Sequence, residues 1–426
     1  MRQEAYFCTI EELNSLGKEN IPQQLISHTH LIYSSPATLA FNSPGAEGFG
    51  VKRAGLAVPG SIMLIVAPGC CGRNTSVLSS MRAYHDRFYY LLMDETDIVT
   101  GRHLKKIPKA VAEICEGLEK KPSVVMICIT CVDALLGTDM ERVCRKAEEA
   151  AGLPVKPCYM YALTREGRKP PMVHVRQSIY SLLEPKKKKG NVVNLLGYFS
   201  PLVDDCELYD LLHDAGVKTI HEISRCKDYA EYQTMSEANF NLVLHPEARF
   251  VAEDFHDRLK IPYIELRRLY QIDKIASQYR AFGAALGVTF DDEKPRRAAE
   301  NAVAKFKEKH PEASFAVGEW MNGDSFELAL ALVRYGFRVP EIYGTLSGEN
   351  FIYVKQLAAL SPETKVFSNL EPTMLYYDGT DSGVTLTIGK DAGYYHKNCP
   401  NVLWNGERQP YGYAGVRRLF EALAEV

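Results

Sequence analysis

Short apolar runs rich in β-branched residues alternate along this chain with amphipathic helical patterns, and this alternation constrains the fold more than any other feature. The apolar runs predict strands at residues 61–67, 123–130, 192–199, 241–245, 262–266, 314–320, 364–370 and 384–389. Helical patterns lie between the strands, for example at residues 207–216, 325–336 and 413–426. Strands that alternate with helices form parallel sheets covered by helices. The sequence therefore predicts an α/β fold.

The alternating pattern divides into three blocks, which suits a chain of 426 residues at roughly 150 residues per domain. The lysine run Lys186–Lys189 separates the first block from the second, and a charged helical segment at residues 291–312 opens the third. We expect domains at residues 1–190, 191–290 and 291–426. Each block is typical of a small doubly wound unit, in which ligands bind outside the carboxyl ends of the strands.

Composition narrows the classes of function. The net charge of −3 argues against a nucleic-acid surface as the main partner, and no stretch reaches the ~18 apolar residues of a membrane helix. The first residues carry acidic side chains and no apolar segment typical of a signal peptide, so we expect a cytoplasmic protein. Neither a P-loop nor a G-x-G-x-x-G segment follows a predicted strand, so we expect this chain to bind no nucleotide.

Eleven cysteines in a reducing compartment serve as buried apolar side chains, as ligands of a metal or cluster, or in redox chemistry. Cys70 and Cys71 follow one predicted strand, and Cys131 follows another. Thiolates from neighbouring strand ends can converge on a soft metal or an iron–sulfur cluster, and Gly69 lets the backbone approach a bulky group closely. The alternative is that these thiols are buried packing residues. Cys128 forms a C-x-x-C pair with Cys131 but falls inside the strand, so we expect it in the core.

Titratable and aromatic groups follow two further predicted strands. His245 ends the run at 241–245, and Tyr395 and His396 come after the run at 384–389. At the carboxyl end of a parallel sheet these groups would suit a cavity wall. A hydrogen-bonded structural histidine and a loop packed on its own aromatic rings remain open alternatives.

Six segments, taken in order, carry a resemblance to a known family. They read "PGAEGFGVKRAG…IMLIVAPGCCG", "DETDIVTGRHLKKIPKAV", "CVDALLGTDME", "NVVNLLGYFSP", "LVLHPEARFVAEDFHDRLKIPYIEL" and "QPYGYAGVRRLFEAL". From about residue 35 to residue 426 the chain resembles the component 1 proteins of nitrogenase and of nitrogenase-like reductases. The shared order of the segments, rather than any single motif, carries this resemblance.

The resemblance implies three Rossmann-like domains with parallel sheets flanked by helices, around a central cavity. It also implies a homodimer or a heterotetramer with a related subunit, an iron–sulfur cluster at the subunit interface, and an ATP-hydrolysing iron–sulfur protein as electron donor. By motif match Cys70 takes the second ligand position and Cys131 the third, with Cys71 as an extra thiol beside Cys70.

Two departures from the family pattern refine this expectation. Phe41 or Asn42 stands where the family has its first cluster cysteine, which favours a [4Fe-4S] cluster shared between subunits over an eight-iron cluster. Cys8 could supply a missing ligand only if the N-terminal arm folds over. Pro246, after His245, stands where the catalytic nitrogenase subunit has its cofactor-anchoring cysteine, so we expect no iron–molybdenum-type cofactor on this chain.

We also expect roles for individual residues around such a cluster. Arg73 and Asp133 would tune the potential of the cluster. Four residues would supply protons to a small organic, possibly tetrapyrrole-like, substrate: His245, Glu247, Tyr395 and His396. Three further hypotheses stand beside this reductase, namely a cofactor-free subunit of a hetero-oligomer, a scaffold for metallocluster assembly, and a metal-free binding protein.

Overall fold

The structure is a computed structural model that describes residues 4–26, 37, 50–69, 79, 81–130, 132, 135–159, 169–380 and 382–426. Within these residues the strands form three sheets. Sheet I contains β2 (Ile62–Ala67), β3 (Phe88–Leu92), β4 (Val125–Ile129) and β5 (Val155–Tyr159). Sheet II contains β6 (Val192–Leu196), β7 (Thr219–His221), β8 (Phe240–Val243) and β9 (Tyr263–Glu265). Sheet III contains β1 (Cys8–Thr9), β10 (Ser314–Val317), β11 (Arg338–Tyr343), β12 (Lys365–Phe367), β13 (Leu386–Ile388) and β14 (Asn401–Val402).

The strand orders are those of parallel sheets with crossover connections. Sheet I runs β3-β2-β4-β5, sheet II runs β7-β6-β8-β9, and sheet III runs β1-β12-β11-β10-β13-β14. The strand pairs are parallel, except that β1 pairs antiparallel with β12. The predicted α/β class with parallel sheets is confirmed.

Helices connect the strands along the whole described chain. The early helices are α1 (Ile10–Leu16), α2 (Val51–Gly55), α3 (Glu95–Thr100), α4 (His103–Gly117), α5 (Met140–Ala151), α6 (Pro171–Tyr180), α7 (Glu207–Asp214) and α8 (Tyr229–Gln233). The later ones are α9 (Arg249–Leu259), α10 (Ile272–Leu286), α11 (Glu293–Lys309), α12 (Ser325–Arg334), α13 (Phe351–Ala358), α14 (Lys390–Tyr395) and α15 (Gly412–Ala424). Gly152 and Gly287 end α5 and α10 in the left-handed conformation that glycine adopts at low cost.

The chain forms two compact units. Residues 47–201 and 216–267 make the two-sheet unit, which holds sheets I and II. Residues 1–46, 202–215 and 268–426 make the one-sheet unit, which holds sheet III. The boundaries of the three domains expected from the sequence stay a prediction. Among the described residues, no helix combines the length and the apolar character that crossing a membrane requires.

β2, an inner strand of sheet I, is buried on both faces. Met63, Ile65 and Ala67 belong to one apolar cluster, whereas Ile62, Leu64 and Val66 belong to another. Successive strand residues point to opposite faces, so a strand covered on both sides reads as a continuous apolar run. This is why the run at 61–67 was easy to predict as a strand.

The helices that cover the second face of β2 are amphipathic. Ile107, Val111 and Cys115 of α4 recur at helical spacing and are buried with Val143 and Cys144 of α5. The side chains on the other face of β2, Met63, Ile65 and Ala67, belong to an apolar cluster that also contains residues of sheet II and of α9. Both sheets of this unit therefore pack against the same apolar cluster. β2 and β4, the strands that precede the candidate cysteine ligands, are thus part of an apolar core.

Six of the described strands were not predicted from the sequence, and proline explains two of these omissions. The missed strands are β1, β3, β5, β7, β11 and β14. Pro157 lies in β5, which forms an edge of sheet I, where a missing N–H is tolerated. Pro340 lies in β11, between Arg338 and Glu341, where the register of pairing with β10 shifts. Proline has no N–H to donate to a neighbouring strand. It is tolerated inside a sheet where the pairing register shifts, because a residue at that point need not form a hydrogen bond between the strands.

Candidate functional site

The carboxyl edge of sheet I is where sequence analysis placed the cluster ligands. β2 and β4 are parallel neighbours, and Val66 of β2 pairs with Ile129 of β4. The predicted ligands Cys70, Cys71 and Cys131, and the predicted neighbours Arg73 and Asp133, lie outside the described residues. Gly69 is described and exposed. Their roles therefore stay predictions.

Contacts from β3 fix the chain where it leaves β2. The Ala67 carbonyl accepts the Met93 backbone N–H at 3.0 Å and the Tyr90 hydroxyl at 2.8 Å. The Tyr90 hydroxyl also bonds to the carbonyl of Pro68. The ring of Pro68 also restricts the φ angle of that residue. Hydrogen bonds and the proline ring together limit the conformation of the backbone before Gly69. Tyr90 is a positioning residue that sequence analysis did not identify.

Thr130 occupies the corresponding position after β4, directly before Cys131. Its side chain is buried, with 3% of the residue exposed, and within the described chain its Oγ1 has no hydrogen-bond partner. Buried hydroxyls are nearly always hydrogen-bonded. An unpartnered donor beside cysteines fits a group whose sulfur atoms accept hydrogen bonds, and cysteine thiolates are the ligands that iron–sulfur clusters require.

The described cysteines behave as packing residues. They are free thiols, with Cys8, Cys115, Cys128, Cys144, Cys158 and Cys206 buried and Cys226 and Cys399 partly buried. Cys128 lies in the core, as predicted, and faces Cys158 across β4 and β5. Burial raises the pKa of the Cys115 and Cys144 thiols, which disfavours the thiolate form that binds metals. No group of three or more His, Cys, Asp or Glu side chains within the described residues could hold a metal ion.

His245 and Glu247 lie together at the carboxyl edge of sheet II. The Glu247 carboxylate accepts a 3.0 Å hydrogen bond from the buried Arg176 guanidinium, which also lies over the Phe199 ring at 4.3 Å. The Glu247 backbone N–H donates to His245 Nδ1 at 3.3 Å, which leaves the ring proton on Nε2. The His245 ring packs edge-on against Tyr198. Two of the predicted proton donors are thus neighbours.

Tyr395 and His396 belong to a buried cluster in the one-sheet unit. The Glu341 carboxylate Oε2 lies 2.6 Å from the Tyr377 hydroxyl, 2.8 Å from His396 Nε2 and 2.9 Å from the Tyr343 hydroxyl. The Tyr395 ring stacks on Tyr343 at a centroid distance of 5.1 Å. Burial, and then the Glu341 charge, raise the pKa of Tyr343 and Tyr377, so both phenols stay protonated. Three donors converge on one carboxylate oxygen in this cluster.

A further polar hub, missed by sequence analysis, lies at the carboxyl edge of sheet III. The buried Asp391 carboxylate accepts the Glu319 and Trp320 backbone N–H groups at 2.8 and 3.2 Å and the Asn369 amide at 2.6 Å. Glu319 Oε1 accepts the Thr345 N–H at 3.0 Å and its hydroxyl at 2.7 Å. These residues follow β10, β11, β12 and β13.

The raised pKa values of two carboxyl groups distinguish this hub from an ordinary turn. Burial raises the pKa of Glu319, and the neighbouring Asp391 charge raises it further. Burial also raises the pKa of Asp391. Carboxyls with raised pKa values at the ligand-binding edge of a parallel sheet are candidates for proton transfer. The sequence signal was present, since Gly318–Trp320 and Gly389–Asp391 each place a carboxylate residue directly after a strand.

Comparison with known proteins identifies the family. Residues 47–426 match the family described as Nitrogenase component 1 type Oxidoreductase. The chain belongs to this family. The resemblance noted from the six sequence segments is therefore confirmed.

Curated relatives from several organisms bear the name nitrogenase iron-molybdenum cofactor biosynthesis protein NifE. This component 1 type chain is 27% identical to the Nostoc protein over 53% of its own length and 48% of the relative, and 26% identical to the Klebsiella pneumoniae protein over 54% and 50%. The Methanococcus maripaludis protein is 23% identical over 60% and 53%. The chain thus spans about half the length of the curated relatives it matches.

A solved structure of the same type shows the fold. Nitrogenase Cp1 at pH 6.5 superposes with a TM-score of 0.68 at 17% identity, and the match covers 97% of this chain and 95% of that chain. The likeness extends over all three sheets and supports the predicted Rossmann-like architecture.

Proposed function

We propose that this component 1 type chain is the subunit of a reductase. In this proposal Cys70, Cys71 and Cys131 hold an iron–sulfur cluster, most simply a [4Fe-4S] cluster shared with a second subunit. Such a cluster supplies one-electron transfer at low potential. The electrons would come from an ATP-hydrolysing iron–sulfur protein and would pass to a small organic substrate.

The observation that carries this proposal is the parallel pairing of β2 with β4. Cys70 comes three residues after Ala67, and Cys131 comes two residues after Ile129. Parallel neighbours end at the same edge of a sheet, so short connections from both strands start close together. The buried hydroxyl of Thr130, which has no partner among the described residues, supports the presence of an acceptor group at this edge.

Reduction of an organic substrate consumes protons as well as electrons, and the candidate donors support this part of the proposal. His245 and Glu247 in the two-sheet unit, and Tyr395 and His396 in the one-sheet unit, remain the residues proposed from the sequence. To these we add Glu319, whose Oε1 accepts two hydrogen bonds from Thr345 and whose pKa is raised by burial.

Exposed apolar residues that end or follow β3 and β4 support a partner protein. Leu92, at the end of β3, is 56% exposed, Val99 of α3 is 84% exposed and Leu135 is 73% exposed. Each follows or ends a strand at the carboxyl edge of sheet I. Exposed apolar side chains grouped in one region mark interaction sites. We assign this face to the electron-donating protein, because electron transfer requires the donor to dock near the cysteines.

A second candidate is a scaffold for metallocluster assembly, acting with a related subunit. The observation that favours it is the group of curated relatives named as cofactor biosynthesis proteins. A scaffold would bind a metallocluster as cargo and release it to another protein. It requires the same cysteines but no bound organic substrate.

Anaerobic purification tests the cluster directly. We expect iron and sulfide in the native chain and an electron paramagnetic resonance signal that appears with dithionite. Cys131→Ala should lose iron, and Cys70→Ala and Cys71→Ala, made separately, identify which adjacent thiol binds. Cys226→Ser is the matched control, because Cys226 lies in the same unit, packs beside its apolar core and donates its thiol hydrogen to the Glu222 carbonyl. Unchanged iron in all three alanine variants would refute the assignment.

The reductase and the scaffold differ in the fate of the metal. A reductase keeps its iron while the ATP-hydrolysing partner drives repeated turnover. A scaffold passes its metal to an apo-protein acceptor in one stoichiometric transfer. Iron-55 labelling of the chain, followed by separation from partner and acceptor, measures this difference.

A further inference from the structure

Sheet II has a strand order at which doubly wound sheets bind ligands. β6 and β8 are parallel neighbours, and the chain leaves β6 toward β7 on one side and β8 toward β9 on the other. In such sheets the ligand-binding crevice lies outside the carboxyl ends of the two strands at which the order reverses. Phe199 follows β6 and Glu247 follows β8, so both residues lie beyond these strand ends.

Arg176 of α6 brings to this position a guanidinium that the described protein uses only in part. The residue is 5% exposed, its guanidinium lies over the Phe199 ring at 4.3 Å, and its Nη2 donates to Glu247 Oε2 at 3.0 Å. Its Nε is buried, and no acceptor of the described chain lies within hydrogen-bond distance of it. Because buried polar groups are nearly always hydrogen-bonded, this guanidinium indicates a partner from outside the polypeptide.

Another ion pair of the same unit shows how a structural guanidinium is used. Arg249 donates from Nε and from Nη2 to the two oxygens of Glu265, at 2.9 and 2.6 Å, so both carboxylate oxygens are occupied. Within the described chain, by contrast, one hydrogen bond joins Arg176 to Glu247, and no described donor bonds to Glu247 Oε1. The second pair therefore presents open donors beside an open acceptor.

The charges of the Arg176–Glu247 pair decide which ligand it suits. One positive and one negative charge already balance, so the Glu247 carboxylate would repel an incoming carboxylate or phosphate. The open N–H donors and the open carboxylate oxygen are complementary to a neutral group that carries a carbonyl oxygen beside an N–H. A carboxamide has this arrangement. The side chains of His245 and Glu247 are 39% and 36% exposed, so the site is open to solvent on their side.

We propose that Arg176 and Glu247 bind a carboxamide group of the organic substrate. The amide carbonyl oxygen accepts from the guanidinium, and the amide N–H donates to Glu247 Oε1. This inference rests on the proposed function in naming the ligand as the substrate, whereas the binding itself requires neither the cluster nor the electron donor. The pair selects an amide over a carboxylate of the same shape, because the carboxylate lacks the donor and adds a second negative charge.

Benzamide and benzoate test this selectivity, because they have the same planar shape and differ in the charge and in the N–H groups. Saturation-transfer NMR with the purified native chain measures both dissociation constants. We expect benzamide to bind about tenfold more tightly, the ratio that one hydrogen bond to a charged group supplies. Equal affinities, a preference for benzoate, or no binding of either compound would refute the proposal.

Three variants locate the binding. Glu247→Gln removes the negative charge, so the preference should reverse and benzoate should bind more tightly than benzamide. Arg176→Met should abolish benzamide binding. Arg249→Met is the matched control, because it opens an ion pair whose acceptor oxygens were already occupied, and it should keep the native preference. Circular dichroism shows whether each variant is folded at the assay temperature. An unchanged preference in folded Glu247→Gln would contradict the proposal, and the comparison on the native chain decides if that variant does not fold.

The outcomes separate this inference from the proposed function. An iron-loaded native chain that shows no preference for benzamide refutes the role of Arg176 and Glu247 and leaves the cluster in place. A native chain that prefers benzamide but binds no iron after anaerobic purification refutes the proposed function and leaves the amide site in place.

Discussion

Glu327 gives the sharpest test of the electrostatics of the one-sheet unit. The residue lies in the first turn of α12 and is 1% exposed. Its carboxylate accepts the backbone N–H groups of Tyr270 and Gln271 at 2.9 and 3.3 Å and the Gln271 amide at 3.0 Å. Burial raises its pKa from 4.5 to about 7, and the hydrogen bonds only partly oppose this effect.

The raised pKa makes stability depend on pH in a definite direction. Because the folded state holds this proton more tightly than the unfolded state, the contribution of Glu327 to stability is complete below about pH 4.5. It is lost as the pH rises through about 7. A difference of roughly 2.5 pH units between the two pKa values corresponds to about 3 kcal/mol in the free energy of unfolding.

Glu327→Gln removes the titration and keeps the shape of the side chain. We expect the free energy of unfolding of the variant, relative to the native chain, to rise by about 3 kcal/mol between pH 4.5 and pH 8. Urea unfolding followed by tryptophan fluorescence measures this difference. Both tryptophans, Trp320 and Trp404, belong to the one-sheet unit, so the signal reports the unit that contains Glu327.

The control and the refuting result are equally definite. Glu312→Gln makes the same change of charge on an exposed residue of the same unit and controls for the change in net charge. The free energy of unfolding of Glu327→Gln, relative to the native chain, should differ between pH 5 and pH 8. If it were the same at both pH values, Glu327 would not hold its proton as described.

Three further substitutions test contacts at the candidate sites. Tyr90→Phe removes the hydroxyl that holds the carbonyls at the end of β2, so amide hydrogen exchange measured by mass spectrometry should become faster there. Tyr377→Phe removes one donor to the buried Glu341 and should cost about 1.5–3 kcal/mol in urea unfolding. Glu247→Gln should lower the melting temperature more than Arg176→Met. The first change leaves the buried Arg176 guanidinium without its counter-charge, whereas Arg176→Met leaves the partly exposed Glu247 carboxylate. Equal losses of melting temperature would contradict this.

The sequence predicted those elements whose burial is uniform. The runs at 61–67 and 123–130 were recognisable because β2 and β4 are covered on both faces and so contain few polar residues. β3 and β11 were not recognisable, because β3 is a partly exposed edge strand and β11 contains Pro340 and the buried Glu341. Burial of a polar residue depends on partners from distant segments, which no local pattern reveals.

The candidate sites were predictable to a similar degree. Placing chemistry at strand ends led to His245, Glu247, Tyr395 and His396, and the structure groups these residues in two pairs. It did not lead to Arg176, which lies in α6, or to Tyr377, which follows the 3₁₀ turn Pro372–Tyr376. Asp391 was also missed, since its importance comes from donors on two other strand-end loops, those after β10 and β12. Such convergence is a property of the folded sheet rather than of any segment.

The antiparallel pairing of β1 with β12 has a consequence for how this protein is made. Cys8 pairs with Val366, and the Ile10 backbone N–H bonds to the Thr364 carbonyl, so the N-terminal arm completes sheet III rather than the sheets that follow it in sequence. On the ribosome this arm emerges before the two-sheet unit and has no strand partner until β12 has been translated, whereas the two-sheet unit can fold as it emerges. Premature termination would therefore release a folded two-sheet unit that carries an unpaired strand, a species prone to associate with other chains through that strand.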